Sequence, residues 1–366
     1  MKINFIDIRR QYDQYQPQID AEIRAVLNEA SFIMGKQVGE LEEKLAAFAG
    51  TKHAVACGSG TDALLLALMA YGIKAGDEII TTPFTFIATA EVISLLGAKP
   101  VFVDIRHDTF NIDPQKIKMA LGPRTRGIIA VDIFGQCADY EAINLIAREH
   151  GLFVIEDAAQ SFGAQYRDRM ACSLADIGCT SFFPAKPLGC YGDGGMMFTD
   201  NDKMATVLRS LRGHGAGRHK YEHVRIGMNS RLDTLQAAVL LAKFKHFPAE
   251  IELRNQIAEY YTLHLEGVVE TPIILPSNRS VHAQYNVKVK NREALQRRLQ
   301  ENQIPTAVYY PKPLHLQPAY VELGYQAGML SVAENVCEQI IALPMHPFLS
   351  REEQDFIIAQ VKKGDA

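Results

Sequence analysis

The 366 residues of this chain include 48% hydrophobic and 22% charged residues and carry a net charge of −4. This composition excludes a disordered chain, which combines few apolar residues with a high net charge. It also excludes a chain-wide basic surface of the kind that binds nucleic acid. At roughly 150 residues per domain, the length predicts two domains.

Neither a membrane segment nor a secretion signal is recognisable in the sequence. The longest apolar run, Ala63 to Tyr71, is less than half of the roughly 20 residues that a membrane-spanning helix needs. The first residues lack the apolar stretch and cleavage site of a signal peptide. The six cysteines form no C-x-x-C pair, and we expect reduced, buried thiols. We therefore expect a cytoplasmic protein that does not bind membranes.

From about residue 40 to residue 215, short apolar strands alternate with amphipathic helices. The predicted elements are a helix over 39–48, a strand over 53–57, a helix over 61–71, a strand over 78–81, a helix over 85–96, a strand over 100–103, a helix from Asp113, a strand over 127–131, a helix over 140–150 and a strand over 152–156. This alternation predicts a large α/β domain, in which helices cover both faces of a mostly parallel sheet.

The pattern changes towards the C-terminus. The predicted elements there are two long helices over 232–247 and 250–265, a strand over 285–289, and helices over 293–301, over 332–341 and at the C-terminus. We interpret residues 1–249 as an N-terminal arm with the large α/β domain. Residues 250–366 are interpreted as a smaller α+β domain that a long helix joins to the first.

The loop Cys57–Asp62 connects a predicted strand to a predicted helix, at the edge where open α/β sheets bind ligands. Gly60 permits close approach to the backbone, and the helix start beside Thr61 favours an anion such as phosphate. A tight turn with a Ser/Thr cap fits equally well. The loop also matches G-x-G-x-x-A, but the next strand ends in Thr81-Thr82-Pro83 instead of an acidic residue, which disfavours a dinucleotide.

Two further residues follow apolar stretches. Asp157 ends a predicted strand and could pair with a cationic ring nitrogen, bind a metal or cap a helix. Lys186 lies in a segment rich in proline and glycine, with no carboxylate until Asp193. Against apolar neighbours the pKa of a lysine falls and the amine attacks carbonyls, although a surface lysine is the simpler alternative. With the phosphate loop, these residues suggest pyridoxal 5′-phosphate.

Residues 209–231 form a basic stretch with a single acid, Glu222. Its basic side chains are Arg209, Arg212, Arg218, Lys220, Arg225 and Arg231. We interpret the stretch as a site for an anionic substrate such as a diphosphate or carboxylate, with a solvated loop as the alternative. His219 and His223 have the spacing of half a zinc site, but no cysteine pair is near and we expect no metal.

Motifs along nearly the whole chain resemble the DegT/DnrJ/EryC1/StrS family of nucleotide-sugar aminotransferases. They are Gly58–Asp62, Gly76–Ile80, Thr85–Ala90, Glu156–Gln160, Ser181–Gly195 and Gly227–Ala238. The resemblance implies the fold of aspartate aminotransferase, called fold type I, and pyridoxal phosphate as the cofactor. It implies that Lys186 binds the cofactor aldehyde and that Asp157 pairs with the ring nitrogen. Gln160 would lie beside the ring and Phe86 would stack on it.

The same resemblance implies how the phosphate is held. Gly60, Thr61 and Ser181 would bind it from one subunit, and Asn229 would reach the phosphate of the neighbouring subunit. The catalytic unit would therefore be a homodimer with shared active sites.

Within the family, residues 179–191, 283–286 and 304–311 are most similar to the 3-aminotransferases that act on UDP-2-acetamido-2-deoxy-3-oxo-glucuronate in bacterial O-antigen synthesis. This similarity implies glutamate as the amino donor and Arg231, Tyr309 and Tyr310 as sugar contacts. We expect that subgroup to have histidine where this chain has Tyr309. The alternatives are a 4-aminotransferase, a dTDP-3-oxo-6-deoxyhexose 3-aminotransferase and a non-catalytic regulator of the same fold.

Overall fold

The computed structural model describes residues 3–219 and 221–363. The helices are α1 (Ile8–Glu29), α2 (Lys36–Ala49), α3 (Gly60–Ala70), α4 (Ala88–Leu95), α5 (Pro114–Ile117), α6 (Tyr140–His150), α7 (Asp202–Leu211), α8 (Thr234–Phe244), α9 (Phe247–Leu265), α10 (Arg292–Glu301), α11 (Ser331–Gln339) and α12 (Arg351–Lys362). The strands are β1 (His53–Cys57), β2 (Glu78–Thr81), β3 (Lys99–Phe102), β4 (Thr125–Val131), β5 (Phe153–Asp157), β6 (Gln165–Tyr166), β7 (Arg169–Met170), β8 (Ile177–Ser181), β9 (Gly195–Thr199), β10 (Asn278–Arg279), β11 (Tyr285–Lys288) and β12 (Ile340–Leu343).

A central sheet runs in the order β1-β9-β8-β5-β4-β2-β3 within the described residues. Its neighbouring strands pair in parallel from β8 to β3. Strand β9 is the exception, because it runs antiparallel to both β8 and β1. Separate apolar clusters pack on the sheet, one including Leu41 and Leu45 of α2 and the other Leu66 and Leu68 of α3. The predicted mostly parallel sheet of fold type I is confirmed.

Helix α1 is an element that the sequence patterns did not predict. It begins after Asp7, whose side chain accepts a hydrogen bond from the backbone N–H of Arg10. It packs on α8 and buries Tyr15, Ile19 and Val26 on one face. Apolar residues do recur at helical spacing at positions 8, 12, 15, 19, 23 and 26. The remaining faces are polar and Pro17 lies inside the helix, which obscured it in the sequence.

The C-terminal part contains the two-stranded antiparallel sheet of β11 and β12, with α9, α10 and α12 around it. The predicted helix over 332–341 is wrong at its end, because α11 stops at Gln339 and Ile340–Leu343 form a fully buried strand. Burial beside β11 places these apolar, partly β-branched residues in a strand. Residue 250 lies inside α9, and the domain division at 249/250 remains a prediction.

The carboxyl ends of β1, β4, β5 and β8 open onto the same edge of the central sheet. The ends of β1, β5 and β8 lead into the segments with Gly60, Asp157 and Lys186 that the sequence analysis singled out. The end of β4 leads into Asp132, which contacts Asp157. Ligands of open α/β sheets bind at this edge. The fold therefore brings the candidate residues together.

Candidate active site

Gly60 and Ser181 meet at the start of α3. A Cβ atom on Gly60 would lie 2.6 Å from the Cβ of Ser181, so the contact requires glycine. Ser59 caps the helix by accepting a 3.0 Å hydrogen bond from the N–H of Asp62. The N–H groups of Gly60 and Thr61 precede the first helical hydrogen bond, which Ala63 donates to Ser59. These N–H groups, with the hydroxyls of Thr61 and Ser181, form a cradle suited to an anion.

The segment around Asn229 lies against this cradle. Ser230 accepts a 3.0 Å hydrogen bond from the N–H of Gly58 and donates a 2.6 Å bond to Asp62. Ser230 is therefore buried, whereas Asn229 beside it is exposed and Arg231 is partly buried. The backbone of Asn229 also forms an isolated β-bridge with Gly213, and both residues lie in the basic stretch over 209–231.

Asp157 is buried at the end of β5, with both carboxylate oxygens engaged. Oδ2 accepts a 2.7 Å hydrogen bond from the Thr89 hydroxyl, and Oδ1 accepts a 3.2 Å bond from the N–H of Ala159. Burial raises the pKa of Asp157, while these two donors and the charge of Lys186 act to lower it. The carboxylate is thus fixed in place near the lysine.

Lys186 lies at the tip of a loop over 182–192. The Cys190 N–H closes the base of the loop on the Phe182 carbonyl at 2.8 Å, and the Lys186 N–H bonds the Phe183 carbonyl at 2.8 Å. Burial lowers the pKa of Lys186, and the charge of Asp157 partly opposes that shift. Within the described residues, Nζ of Lys186 has no hydrogen-bond acceptor. The amine is therefore free to react.

Gln160 and Tyr310 are brought together from distant parts of the chain. Gln160 Oε1 accepts a 2.8 Å bond from the Phe134 N–H, and its Nε2 donates a 3.2 Å bond to the Tyr310 hydroxyl. The ring of Tyr310 packs edge-on against Phe84 at 6.0 Å and against Tyr309 at 5.9 Å. The amide of Gln160 is therefore held between the two parts of the chain.

The aromatic pair after β2 has two different environments. Phe84 is fully buried in the cluster that includes Phe134 and Tyr310. Phe86 is 57% exposed, so its ring is available to a planar ligand. The expected stacking role therefore suits Phe86 and not Phe84.

The basic stretch divides into structural and accessible residues. Arg212 is buried, pairs with Glu42 and donates a 2.6 Å bond to the Ala56 carbonyl. Its inclusion among substrate-binding residues is therefore wrong, because its charge is already neutralised. Arg209, Arg218 and Arg225 line an open groove of about 730 Å³, together with Glu222. Lys220 lies outside the described residues.

Sequence reasoning missed a buried carboxyl pair, Asp132 and Glu156, behind the site. Asp132 accepts 2.9 Å bonds from the hydroxyls of Tyr140 and Ser161, and its N–H bonds the Asp157 carbonyl at 3.0 Å. Burial raises the pKa of both carboxyls, and the charge of Asp132 raises that of Glu156 further. The position of Asp132 at a strand exit, like that of Asp157, was the available signal.

The described part of the chain contains no group of three or more His, Cys, Asp or Glu side chains suited to a metal ion. His223 Nδ1 instead bonds the His214 carbonyl at 2.9 Å. None of the described helices is both long and apolar enough to cross a membrane. All six cysteines are buried free thiols.

Comparison with known proteins gives matches over almost the whole chain. The model of the DegT/DnrJ/EryC1/StrS aminotransferase family matches residues 13–362. UDP-2-acetamido-2-deoxy-3-oxo-D-glucuronate aminotransferase of Pseudomonas aeruginosa is 50% identical, covering 98% of this chain and 99% of the relative. A "pleiotropic regulatory protein" of Geobacillus stearothermophilus is 44% identical over 99% of this chain and 98% of the relative. UDP-N-acetyl-3-dehydro-alpha-D-glucosamine 3-aminotransferase of Acidithiobacillus ferrooxidans is 42% identical over 98% and 96%.

Solved structures agree with these matches. DesV of S. venezuelae superposes with a TM-score of 0.96 at 37% identity and covers 99% of this chain and 98% of that one. The ntda protein of Bacillus subtilis, solved with bound cofactor PMP, has a TM-score of 0.92 at 31% identity over 98% and 84%. The fold and the cofactor chemistry of these proteins therefore match the arrangement of the site.

Proposed function

This chain belongs to the DegT/DnrJ/EryC1/StrS aminotransferase family, and from that premise we propose that it transfers the amino group of L-glutamate to UDP-2-acetamido-2-deoxy-3-oxo-D-glucuronate in bacterial O-antigen synthesis. The chain is a transaminase that depends on pyridoxal phosphate. The relative from P. aeruginosa, at 50% identity, is the observation that carries the choice of sugar. The relative from A. ferrooxidans, also named for a UDP-linked 3-oxo sugar, supports the same position and nucleotide.

The residues of the site fit pyridoxal phosphate. Gly60, Thr61 and Ser181 form the anion cradle, and Phe86 presents an exposed ring. Lys186 would bind the aldehyde carbon of the cofactor through Nζ. When bound, the cofactor draws electrons from the carbon that carries the amino group. An ionised Asp157 would keep the ring nitrogen protonated, and Gln160 would lie along the ring.

Lys186 would also move the proton of the reaction. After glutamate displaces Nζ, the freed amine would take the proton from the α-carbon of the amino acid and deliver it to C4′ of the cofactor. In the second half-reaction the same amine would return a proton to C3 of the sugar. A lowered pKa suits an amine that acts as a base near neutral pH.

Three contacts are proposed for the sugar. Arg231 would pair with the uronate carboxylate, because a guanidinium binds a carboxylate through two parallel hydrogen bonds. Tyr309 and Tyr310 would contact the sugar ring. The hydroxyl of Tyr310 already accepts a hydrogen bond from Gln160, which fixes its position. The groove with Arg209, Arg218 and Arg225 carries the charge that a diphosphate requires.

A homodimer is proposed as the catalytic unit. Exposed apolar side chains at 32–34 lie beside Asp233 and Thr234, which follow Arg231 in sequence. Val224 and Ile226 in the basic stretch are also exposed. Asn229 lies along the chain between Ile226 and Asp233, the residue that bridges to Ile33, and is itself exposed, which supports a role in the partner's site.

Mixing inactive variants tests the shared site. Lys186→Ala and Asn229→Ala homodimers are expected to be impaired separately. Exchange of subunits between them forms heterodimers that each hold one intact site, restoring roughly a quarter of wild-type activity. If no activity returns although exchange is shown by native mass spectrometry, Asn229 does not serve the partner.

The substrate is tested by running the reaction in reverse. Purified enzyme is incubated with 2-oxoglutarate and a panel of UDP- and dTDP-linked 3-amino and 4-amino sugars, and products are read by mass spectrometry. We expect the UDP-linked 3-amino uronate to react fastest. Faster turnover of a 4-amino or dTDP sugar would overturn the assignment in favour of one of those alternatives.

The relative called a pleiotropic regulatory protein keeps a regulatory role open as a second candidate. Glutamate added to the purified protein distinguishes the two, because an aminotransferase converts glutamate to 2-oxoglutarate in an amount equal to its bound cofactor. Absence of 2-oxoglutarate would favour the regulator. We also propose the cytoplasm as the compartment, where the nucleotide-sugar substrate and glutamate are available.

A further inference from the structure

We propose that Thr89, oriented by Thr85, is a positioning residue that keeps Asp157 ionised and aimed at the ring nitrogen of the cofactor. The inference rests on the proposed role of Asp157. It assigns a function to Thr85 and Thr89, whereas the proposed cofactor site uses only Phe86 from the segment 85–89. Thr85 and Thr89 are both buried, at 3% and 1% exposure.

The direction of the hydrogen bonds follows from the number of protons available. The Thr89 hydroxyl lies 2.7 Å from Oδ2 of Asp157 and 3.0 Å from the Thr85 hydroxyl. An ionised carboxylate can only accept, so the single hydroxyl proton of Thr89 points to Asp157. Thr85 must then donate to Thr89. The pair forms a relay of donors that ends on the carboxylate.

This relay favours the charged form of Asp157. Burial opposes ionisation of the carboxyl, whereas hydrogen bonds donated to its oxygens stabilise the carboxylate. The N–H of Ala159 also donates to Asp157. The titratable groups around Asp157 in the described residues are Lys186 on the loop over 182–192, Tyr310 from the C-terminal part, and two buried thiols, Cys172 and Cys179, whose pKa burial raises. Burial keeps Tyr310 and Cys179 neutral by raising the pKa of each. Thr89 is therefore the side chain that supplies a neutral donor to Asp157.

The position of the relay links two parts of the site. Phe86 is exposed while Thr85 and Thr89, on either side of it in sequence, are buried. One short segment at the start of α4 thus presents a ring for stacking and, one turn later, a hydroxyl for Asp157. A shift of this segment would change both contacts at once.

The experiment measures binding of two cofactors to the apoenzyme, without turnover. One is pyridoxal 5′-phosphate, and the other is its 1-deaza analogue, in which carbon replaces the ring nitrogen. The test variant is Thr89→Val, which keeps the shape and removes the hydroxyl. Thr89→Ser restores a hydroxyl. Thr81→Val is the matched control, because Thr81 is equally buried but donates its 2.9 Å bond to the Ile129 carbonyl.

We expect the Thr89→Val change to weaken binding of pyridoxal phosphate about tenfold, since hydrogen bonds to charged groups are among the stronger ones. Binding of the deaza analogue should change less than about twofold, because no ring nitrogen is present to sense Asp157. Thr89→Ser should recover most of the affinity, and Thr81→Val should affect neither cofactor. Thr85→Val, with an expected smaller loss confined to pyridoxal phosphate, serves as the second variant if Thr89→Val does not fold.

The outcomes separate this inference from the proposed function. If wild-type protein binds both cofactors equally well, the role of Asp157 fails and Thr89 loses its task with it. If wild-type protein prefers pyridoxal phosphate and Thr89→Val keeps the same preference, only the inference about Thr89 is overturned. An equal loss for both cofactors would also overturn it, because the hydroxyl would then act on the fold alone.

Discussion

One lysine lies at the tip of the loop over residues 182–192 and another lies beneath it, and burial lowers the pKa of both. Lys186 at its tip is partly buried, and its amine has no hydrogen-bond acceptor within the described residues. Lys243 on α8 is 2% exposed beneath the same loop. Its amine donates to the Gly189 carbonyl and lies 5.0 Å from the centre of the Tyr191 ring.

The difference shows that a desolvated amine is not by itself a nucleophile. The charge of Glu250 on α9 partly offsets the burial of Lys243, and Glu250 is held by two hydrogen bonds from Gln11 of α1, at 2.9 and 3.0 Å. Lys243 therefore holds the base of the loop through Gly189, and the charge of nearby Glu250 stabilises its protonated form. The same loop leaves the amine of Lys186 without such a partner, which suits the nucleophilic role proposed for it.

The largest expected effect comes from removing the free amine. Lys186→Ala should lower turnover by about 10²- to 10⁴-fold or more, because the proton carrier and the covalent attachment are lost together. Borohydride reduction followed by peptide mapping should find the cofactor on Lys186 in wild-type protein and on no lysine in the variant. Attachment to Lys243 would break the comparison between the two lysines.

Removing the buried amine should affect stability more than chemistry. Lys243→Met leaves the Gly189 carbonyl without its donor and removes one of the two cations near the buried Glu250, the other being Arg254. We expect a loss of about 1–3 kcal/mol in the free energy of unfolding. Denaturant unfolding measures it. Lys245→Met is the control, because Lys245 is exposed and pairs with Glu22 on the surface. Equal effects of the two changes would show that Lys243 is not a buried anchor.

The pH dependence of stability should report the same residue. Burial lowers the pKa of Lys243 from 10.5 to about 8, so the unfolded chain binds more protons between these values. The free energy of unfolding should therefore rise with pH in this window, by at most about 3 kcal/mol, relative to Lys243→Met. Parallel curves for wild type and variant would argue against a shifted Lys243.

The smallest expected effect concerns the other contact that joins α8 to the loop. Gln236 accepts a 2.8 Å hydrogen bond from the N–H of Tyr191. Gln236→Ala should cost about 1 kcal/mol in the free energy of unfolding and leave covalent attachment of the cofactor unchanged. A loss of attachment at Lys186 would mean that Gln236 positions the lysine and does more than brace the loop.

The two lysines also mark what the sequence could predict. Lys186 and Asp157 could be singled out as candidates because their signals are local, a turn rich in proline and glycine for Lys186 and a strand exit for Asp157. Lys243 stands in Ala-Lys-Phe-Lys at a helix end, where lysine is normally solvated. Its burial depends on the packing of α8 against α1, a helix distant in sequence that the sequence analysis missed.

The errors have the same physical origin. Arg212 was assigned to the substrate because its neighbours are basic, yet its partner Glu42 is distant in sequence. The antiparallel strand β9 and the strand β12 likewise depend on pairing with strands elsewhere in the chain. Short-range patterns carry no information about such partners.

The contact between Gly60 and Ser181 has a consequence for how the protein folds. The two residues are separated by about 120 positions, and closing such a long loop makes their meeting a slow, late event. Strand β9 lies between β8, which ends at Ser181, and β1, which precedes Gly60, so the contact spans three strands of the finished sheet. We therefore expect the newly made chain to gain its affinity for phosphate in the last stage of folding. The time at which cofactor is taken up would then report when the sheet is complete.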